Sequence, residues 1–233
     1  MNSKIQIEML RCVAEALGSE LCEKMTFVGG CTTSLLVTDE FTQENIRHTD
    51  DVDLIVHVMG YADYSTLQQT LQEHGFKIDI PDDDEPICAM KLGDLRVDFM
   101  PDDESVLGFT NRWYRRAVET NNCIKLTSDI FINLISPVYF IATKLEAYNG
   151  RGKGDPLESR DVEDILNLVD GRQELISELA IAEDDVKKYI SQQIEILLGV
   201  SDFDYAIQSH ANMNTARENE LYERLDTIVN IGK

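Results

Sequence analysis

Positive charge is the scarcest commodity in this chain: 21 Lys and Arg face 43 Asp and Glu, leaving a formal charge of −22 over 233 residues. Such a surface repels nucleic acid wherever it lacks a local basic patch, and it favours cationic partners or a bound divalent metal that offsets part of the charge. Long apolar runs are missing too. Stretches such as 130–135 fall far short of the roughly 20 residues that cross a bilayer, and no basic-then-apolar leader opens the chain. A cytoplasmic protein with no membrane partner is expected. The five cysteines (Cys12, Cys22, Cys31, Cys88, Cys123) are odd in number and form no C-x-x-C pair. That argues against both a disulfide framework and a zinc knuckle, and favours reduced thiols packed as small hydrophobes. Histidines at 48, 57, 74 and 210 are spaced too irregularly to suggest a metal site. Repeats, low-complexity tracts and proline-rich linkers are absent from the sequence.

What remains is a chain with 43% hydrophobic residues, able to bury a real core. Apolar residues at 5, 9, 10, 13, 16, 17 and 21 recur near the helical period of 3.6, predicting an amphipathic helix over 5–22. A short strand over 26–28 is followed by Gly29-Gly30 and then a helix within 32–37. Residues 38–50 read as a polar loop. The β-branched alternation of "DVDLIVHV" predicts a strand over 51–58, and 61–74 reads as a helix. After Gly75 come "FKI", the acidic "PDDDEP" loop, and strands over 87–92 and 95–100 joined by the two-residue turn Gly93-Asp94. "DDES" reads as loop, 112–119 as a short helix, and 123–135 as two short strands. Ser136-Pro137 opens a helix. Beyond it only helices are expected, over roughly 138–149, 159–170, 172–180, 184–198, 202–210 and 215–230. The fold class is therefore α+β: a small mixed β-sheet flanked by helices in a core over 1–135, then a helical C-terminal region over 136–233 packed on that core.

The carboxylates carry the chemistry. In "TDDVDLIV" the strand period of two puts Asp51 and Asp53 on one face, about 7 Å apart. Two such carboxylates repel unless a cation sits between them, and magnesium, which takes hard oxygen ligands and bridges carboxylates to phosphates, meets that need. A third, Asp98, lies inside the apolar strand "LRVDFM", where an unpartnered charge is costly. Gly29 and Gly30 lack a Cβ, so a ligand can come close to their backbone.

The order Gly29-Gly30 after a strand, Asp51-x-Asp53 at the head of the next, and Asp98 on a third resembles the nucleotidyltransferase superfamily related to DNA polymerase β. Downstream, "ATKLEAYNGRGKGDPLESRDVEDILNL" is similar to the helical segment of the abortive-infection and type IV toxin nucleotidyltransferases, with their lysine at Lys144 and their [RK]-D-x-x-D at Arg160-Asp161-x-x-Asp164. The resemblance covers about 25–170. It departs in the twenty residues between Gly30 and Asp51, more than is usual, so the segment around 38–48 reads as an insertion.

The resemblance implies a catalytic set of Asp51, Asp53, Asp98, Lys144 and Asp161. Asp51, Asp53 and Asp98 would hold two Mg2+ ions, and Asp98 would also act as base toward an attacking hydroxyl. Gly29, Gly30, Thr32, Thr33 and Ser34, with Lys144, would bind the triphosphate of an NTP substrate. The reaction implied is transfer of a nucleoside monophosphate to a tRNA or protein acceptor with release of pyrophosphate, and an antitoxin protein would be a partner. A small cationic acceptor, aminoglycoside-like, suits the negative surface, and a non-catalytic nucleotide-binding interaction module is the reading from another class.

Several side chains admit two readings. Lys144 lies beside an apolar helix stripe and can either contact phosphate or snorkel to solvent. Asp161 belongs either to the active site or to the acidic first turn that stabilises a helix N-terminus. Arg151 and Lys153 supply charge toward the triphosphate or form a solvated turn. "NRWYRRA", 111–117, either stacks on a base or is a surface helix with Trp113 buried.

Overall fold

The computed structural model describes residues 2–78, 88–151 and 154–233. Contacts divide the chain into two units, Met1–Ser34 with Arg47–Ser136, and Leu35–Ile46 with Pro137–Lys233. The α+β class expected from the sequence is the class observed.

The first unit is built on a seven-stranded mixed sheet. Its strands are β1 (Met25–Val28), β2 (Asp51–Val56), β3 (Lys77–Ile78), β4 (Ala89–Leu92), β5 (Leu95–Pro101), β6 (Asn122–Lys125) and β7 (Phe131–Leu134), in the spatial order β3-β4-β5-β2-β1-β7-β6. The two innermost neighbours of the carboxylate strand differ in direction: β1 runs antiparallel to β2 and β5 runs parallel to it. The period of two sorts β2 as the sequence requires, with Val52, Leu54 and Val56 buried on one face and Asp51 and Asp53 on the other. Helix α1 (Asn2–Cys22), broken at Gly18, buries Leu10, Val13 and Leu17 against the sheet. Helix α4 (Tyr61–Glu73) is fastened by the Tyr64 hydroxyl, which donates to the Phe99 carbonyl at 2.9 Å. Gly93, at φ +63, forms the β4–β5 turn.

The second unit gathers α7 (Pro137–Gly150), α8 (Arg160–Gly171), α9 (Leu175–Ala180), α10 (Asp184–Leu198), α11 (Ser201–His210) and α12 (Thr215–Ile231). Helix α8 is the centre, burying Val162, Ile165, Leu168 and Val169 among α7, α11 and α12.

Two segments read as loop are helical. Residues 38–50 contain α3 (Glu40–Asn45), whose N-cap Asp39 accepts from the Thr42 backbone N–H at 2.8 Å. It lacks an apolar period because its buried residue is a threonine, and it packs on Gly171, whose absent Cβ would lie 2.8 Å from Thr42. The "DDES" segment contains α5 (Glu104–Leu107), capped by Asp103 and ended by Gly108 at φ +79. A four-residue turn, α2 (Thr33–Leu36), follows the glycines, and α6 (Tyr114–Glu119) falls where a short helix was expected. The "PDDDEP" loop, Ile87 and Lys153 lie outside the described residues. No helix among the described residues is long and apolar enough to cross a membrane.

Candidate active site

Register places the carboxylates. Asp53 stands opposite Val28 on β1 and opposite Asp98 on β5, and Asp51 stands opposite Arg96. Asp51, Asp53, Arg96 and Asp98 therefore share one face of adjacent parallel strands, two residues apart on each. Like charges aligned across a ladder destabilise it unless a cation intervenes. Here Arg96 intervenes, donating to Asp98 from Nε at 3.0 Å and from Nη2 at 3.3 Å. Asp51 accepts from the Thr49 hydroxyl.

Beyond Val28 the chain must turn against this row, and Gly29 does so at φ +74. A Cβ there would lie 1.8 Å from the Asp53 Oδ2. What comes close to the glycine backbone in this structure is thus the carboxylate of the D-x-D pair itself. Gly30–Thr32 forms one 3-10 turn, closed by the Thr32 N–H and hydroxyl, which both donate to the Gly29 carbonyl, at 3.1 and 2.8 Å. The Thr32 hydroxyl proton is therefore already engaged in the turn. Thr33 is buried, and Ser34, 5% exposed, holds its Oγ buried with no hydrogen-bond partner among the described residues. An orphaned buried hydroxyl costs about 1–3 kcal/mol unless a ligand or water meets it.

The field of the carboxylates reaches both neighbouring thiols. Burial first, then Asp53 and Asp51, push the Cys31 thiol far above its ordinary range. Cys88 is pushed up to about 12, again by burial first and then by Asp98. All five cysteines are free, and three are buried.

Among the described residues no three His, Cys, Asp or Glu side chains are gathered as round a metal ion. The donor chemistry nonetheless suits magnesium, since Asp51, Asp53 and Asp98 offer only hard carboxylate oxygens. Arg96 would have to release Asp98 for all three to ligate.

A second cluster lies within the helical unit. Lys144 on α7 is 12% exposed by its side chain and meets Asp161 at 3.1 Å and Asp164 at 2.7 Å, carboxylates only 4% and 1% exposed. Arg151 Nη1 donates to the other Asp161 oxygen at 2.9 Å. The lysine does not snorkel; it is a buried counter-ion for the two aspartates of the R-D-x-x-D segment. Ser159, not Asp161, caps α8, accepting from the Val162 N–H at 3.3 Å. Trp113 is buried with Arg112 over its ring at 4.8 Å, so its indole is not offered to a base.

The residues expected as one catalytic set fall into two groups: Asp51, Asp53 and Asp98 lie together with Gly29 in the first unit, and Lys144 and Asp161 lie together in the second. Sequence reasoning missed Arg96 and the weight of Asp164. Arg96 carried a signal, because it lies two residues before Asp98 and so shares its face.

No family model matches the chain, and no curated protein matches it. Among solved structures it is similar to an antigenic nucleotidyltransferase-like protein from Paracoccidioides brasiliensis, at 18% identity and a TM-score of 0.52, over 95% of this chain and 94% of that one. At that identity the likeness concerns the fold, and the fold is nucleotidyltransferase-like.

Proposed function

We propose that the chain is a magnesium-dependent nucleotidyltransferase that transfers a nucleoside monophosphate from an NTP to an acceptor and releases pyrophosphate. The observation that carries this is the in-register row of Asp51, Asp53 and Asp98 beside a positive-φ glycine turn. Magnesium, when bound, would neutralise the triphosphate and polarise the α-phosphorus toward in-line attack. Asp51 and Asp53 would hold it, joined by Asp98 once Arg96 turns from that carboxylate toward phosphate. Asp98 would accept the proton of the attacking hydroxyl. The Ser34 hydroxyl, with the backbone of Gly29 and Gly30 and the side chain of Thr33, would bind phosphate oxygens, while Thr32, its hydroxyl donated to the Gly29 carbonyl, would brace the turn. Lys144 enters as a phosphate contact held in place by Asp161 and Asp164.

The acceptor proposed is tRNA or protein, as in the abortive-infection and toxin branch, with an antitoxin protein as partner in a cytoplasmic setting. The charge of −22 favours a second reading, a small cationic acceptor. The test is pyrophosphate release with magnesium and each of the four NTPs, alone, with bulk tRNA, and with an aminoglycoside, beside an Asp51→Asn, Asp53→Asn variant. Release by the wild type and not by the variant is expected, and the acceptor that raises it decides between the readings. NTP binding with no release under any condition overturns the transferase in favour of a non-catalytic nucleotide-binding module.

A further inference from the structure

The helical unit holds a cavity of about 460 Å³ that the carboxylate chemistry does not use. Ligand pockets run from roughly 300 to 1,000 Å³, and one water needs a small fraction of that. Glu163, Leu166, Asn167 and Asp170 line it, the i, i+3, i+4, i+7 stripe of α8, while Asp161 and Asp164 lie off that stripe. The cavity is thus separate from the Lys144 cluster on the same helix.

Three features of its wall describe an occupant. Asn167, 3% exposed, has its Nδ2 buried with no acceptor among the described residues. Phe41, 50% exposed, presents a ring against which the Arg217 guanidinium stacks at 4.3 Å. Arg217 is itself fixed, donating from Nε to Asp170 at 2.9 Å and from Nη2 to Thr42 at 2.7 Å. The two planes make a rigid stacking platform. His210 meets the same Asp170 oxygen through Nε2 at 3.1 Å, which requires the proton on that nitrogen and leaves Nδ1 an acceptor in the neutral ring. A buried donor, an acceptor and a flat stacking surface are thereby assembled in one cavity. Charge then selects among planar ligands. Arg217 and His210 are spent on Asp170: burial pushes its carboxyl up, but the hydrogen bonds and charges of His210 and Arg217 together outweigh burial and hold it below its ordinary range. Glu163 adds a negative charge to the lining, so an anionic ligand is disfavoured.

The geometry points to a second binding site, formed by Asn167, Phe41, Arg217 and His210, for an uncharged planar heterocycle with a donor–acceptor edge, of the nucleobase or nucleoside class. The site is independent of the transferase reading. The test is calorimetric titration of the full chain with adenosine, guanosine, cytidine and uridine, each as the free nucleoside. Saturable binding of at least one is expected, weakened tenfold or more by Asn167→Leu and likewise by Phe41→Ala, whose half-exposed ring makes misfolding a poor explanation. The Asp51→Asn, Asp53→Asn variant should bind that nucleoside as the wild type does. Binding lost in the aspartate variant yet kept in both cavity variants would place the nucleoside at the carboxylate row and overturn the inference, as would absence of binding by all four at millimolar concentration.

Discussion

Alanine at position 29 isolates the closest approach in the first unit. Two costs combine there. Gly29 sits at φ +74, ψ −176, a region that is essentially glycine's alone and costs any other residue about 1–3 kcal/mol. The new Cβ would also fall 1.8 Å from the Asp53 Oδ2, where ordinary contact begins at 3.4 Å, so the carboxylate must withdraw from the position that register gives it. Overpacking of this kind adds about 1–3 kcal/mol, for a total of about 2–6 kcal/mol. Gly93→Ala is the control: its φ is +63 but no heavy atom lies within 4 Å of the added carbon, so only the backbone cost of about 1–2 kcal/mol applies. The assay is urea unfolding followed by the fluorescence of Trp113, the one tryptophan in the chain, which is buried in this same unit. A double-mutant cycle with Asp53→Ala supplies the decisive quantity, because removing the carboxylate removes the two closest overlaps, at 1.8 and 2.7 Å, and leaves the backbone strain with the residual 2.8 Å approach to the Cβ of residue 53. A coupling of about 1–3 kcal/mol is expected between the two substitutions. Additivity within about 0.5 kcal/mol would refute the packing of Gly29 on Asp53 as the reason for glycine here.

Two further outcomes follow from the charge clusters. Arg96→Gln leaves Asp98 aligned with Asp53 without its guanidinium, so the metal-free protein should lose about 1–3 kcal/mol and millimolar magnesium should restore more stability to the variant than it adds to the wild type; equal stabilisation by magnesium would contradict the competition between Arg96 and metal. Lys144→Met takes from the buried Asp164 carboxylate the ammonium that meets it at 2.7 Å and should cost about 3–5 kcal/mol in urea unfolding read by far-ultraviolet circular dichroism, with part recovered by adding Asp164→Asn; a loss below about 1 kcal/mol would refute its role as buried counter-ion.

Periodicity revealed what periodicity governs. The strand alternation of 51–56 placed Asp51 and Asp53 on the open face, and helix α8 was evident from its strong apolar stripe. Where short polar segments rely on caps and distant partners, the pattern was silent: α3 is held by Asp39, Thr42 and the Gly171 carbonyl, none of which makes an apolar period. Gly29 was recognisable as a place of close approach, but a neighbour from another strand cannot be named until the register between β1 and β2 is known. The pairing of Arg96 with Asp98 was within reach of the strand period alone, and it escaped because only the carboxylates of that face were weighed together. Lys144 illustrates the opposite limit, since a helix wheel gives the edge on which a lysine sits but not the carboxylates that enclose it from the next helix.

The partners of α3 have a consequence for how the chain reaches its native state. The Thr38 and Asp39 amides donate to Gly171, 133 and 132 positions later, and Thr42 receives the Arg217 guanidinium from 175 residues onward. On a ribosome that emits residues from the N-terminus, this segment emerges long before anything exists to hold it. The strands on either side can pair while it waits, and its own settlement must come after translation is nearly finished. Closing so wide a span ranks among the slow steps of folding, and a nascent chain paused before position 171 would carry 35–46 as a stretch without its partners, open to proteases.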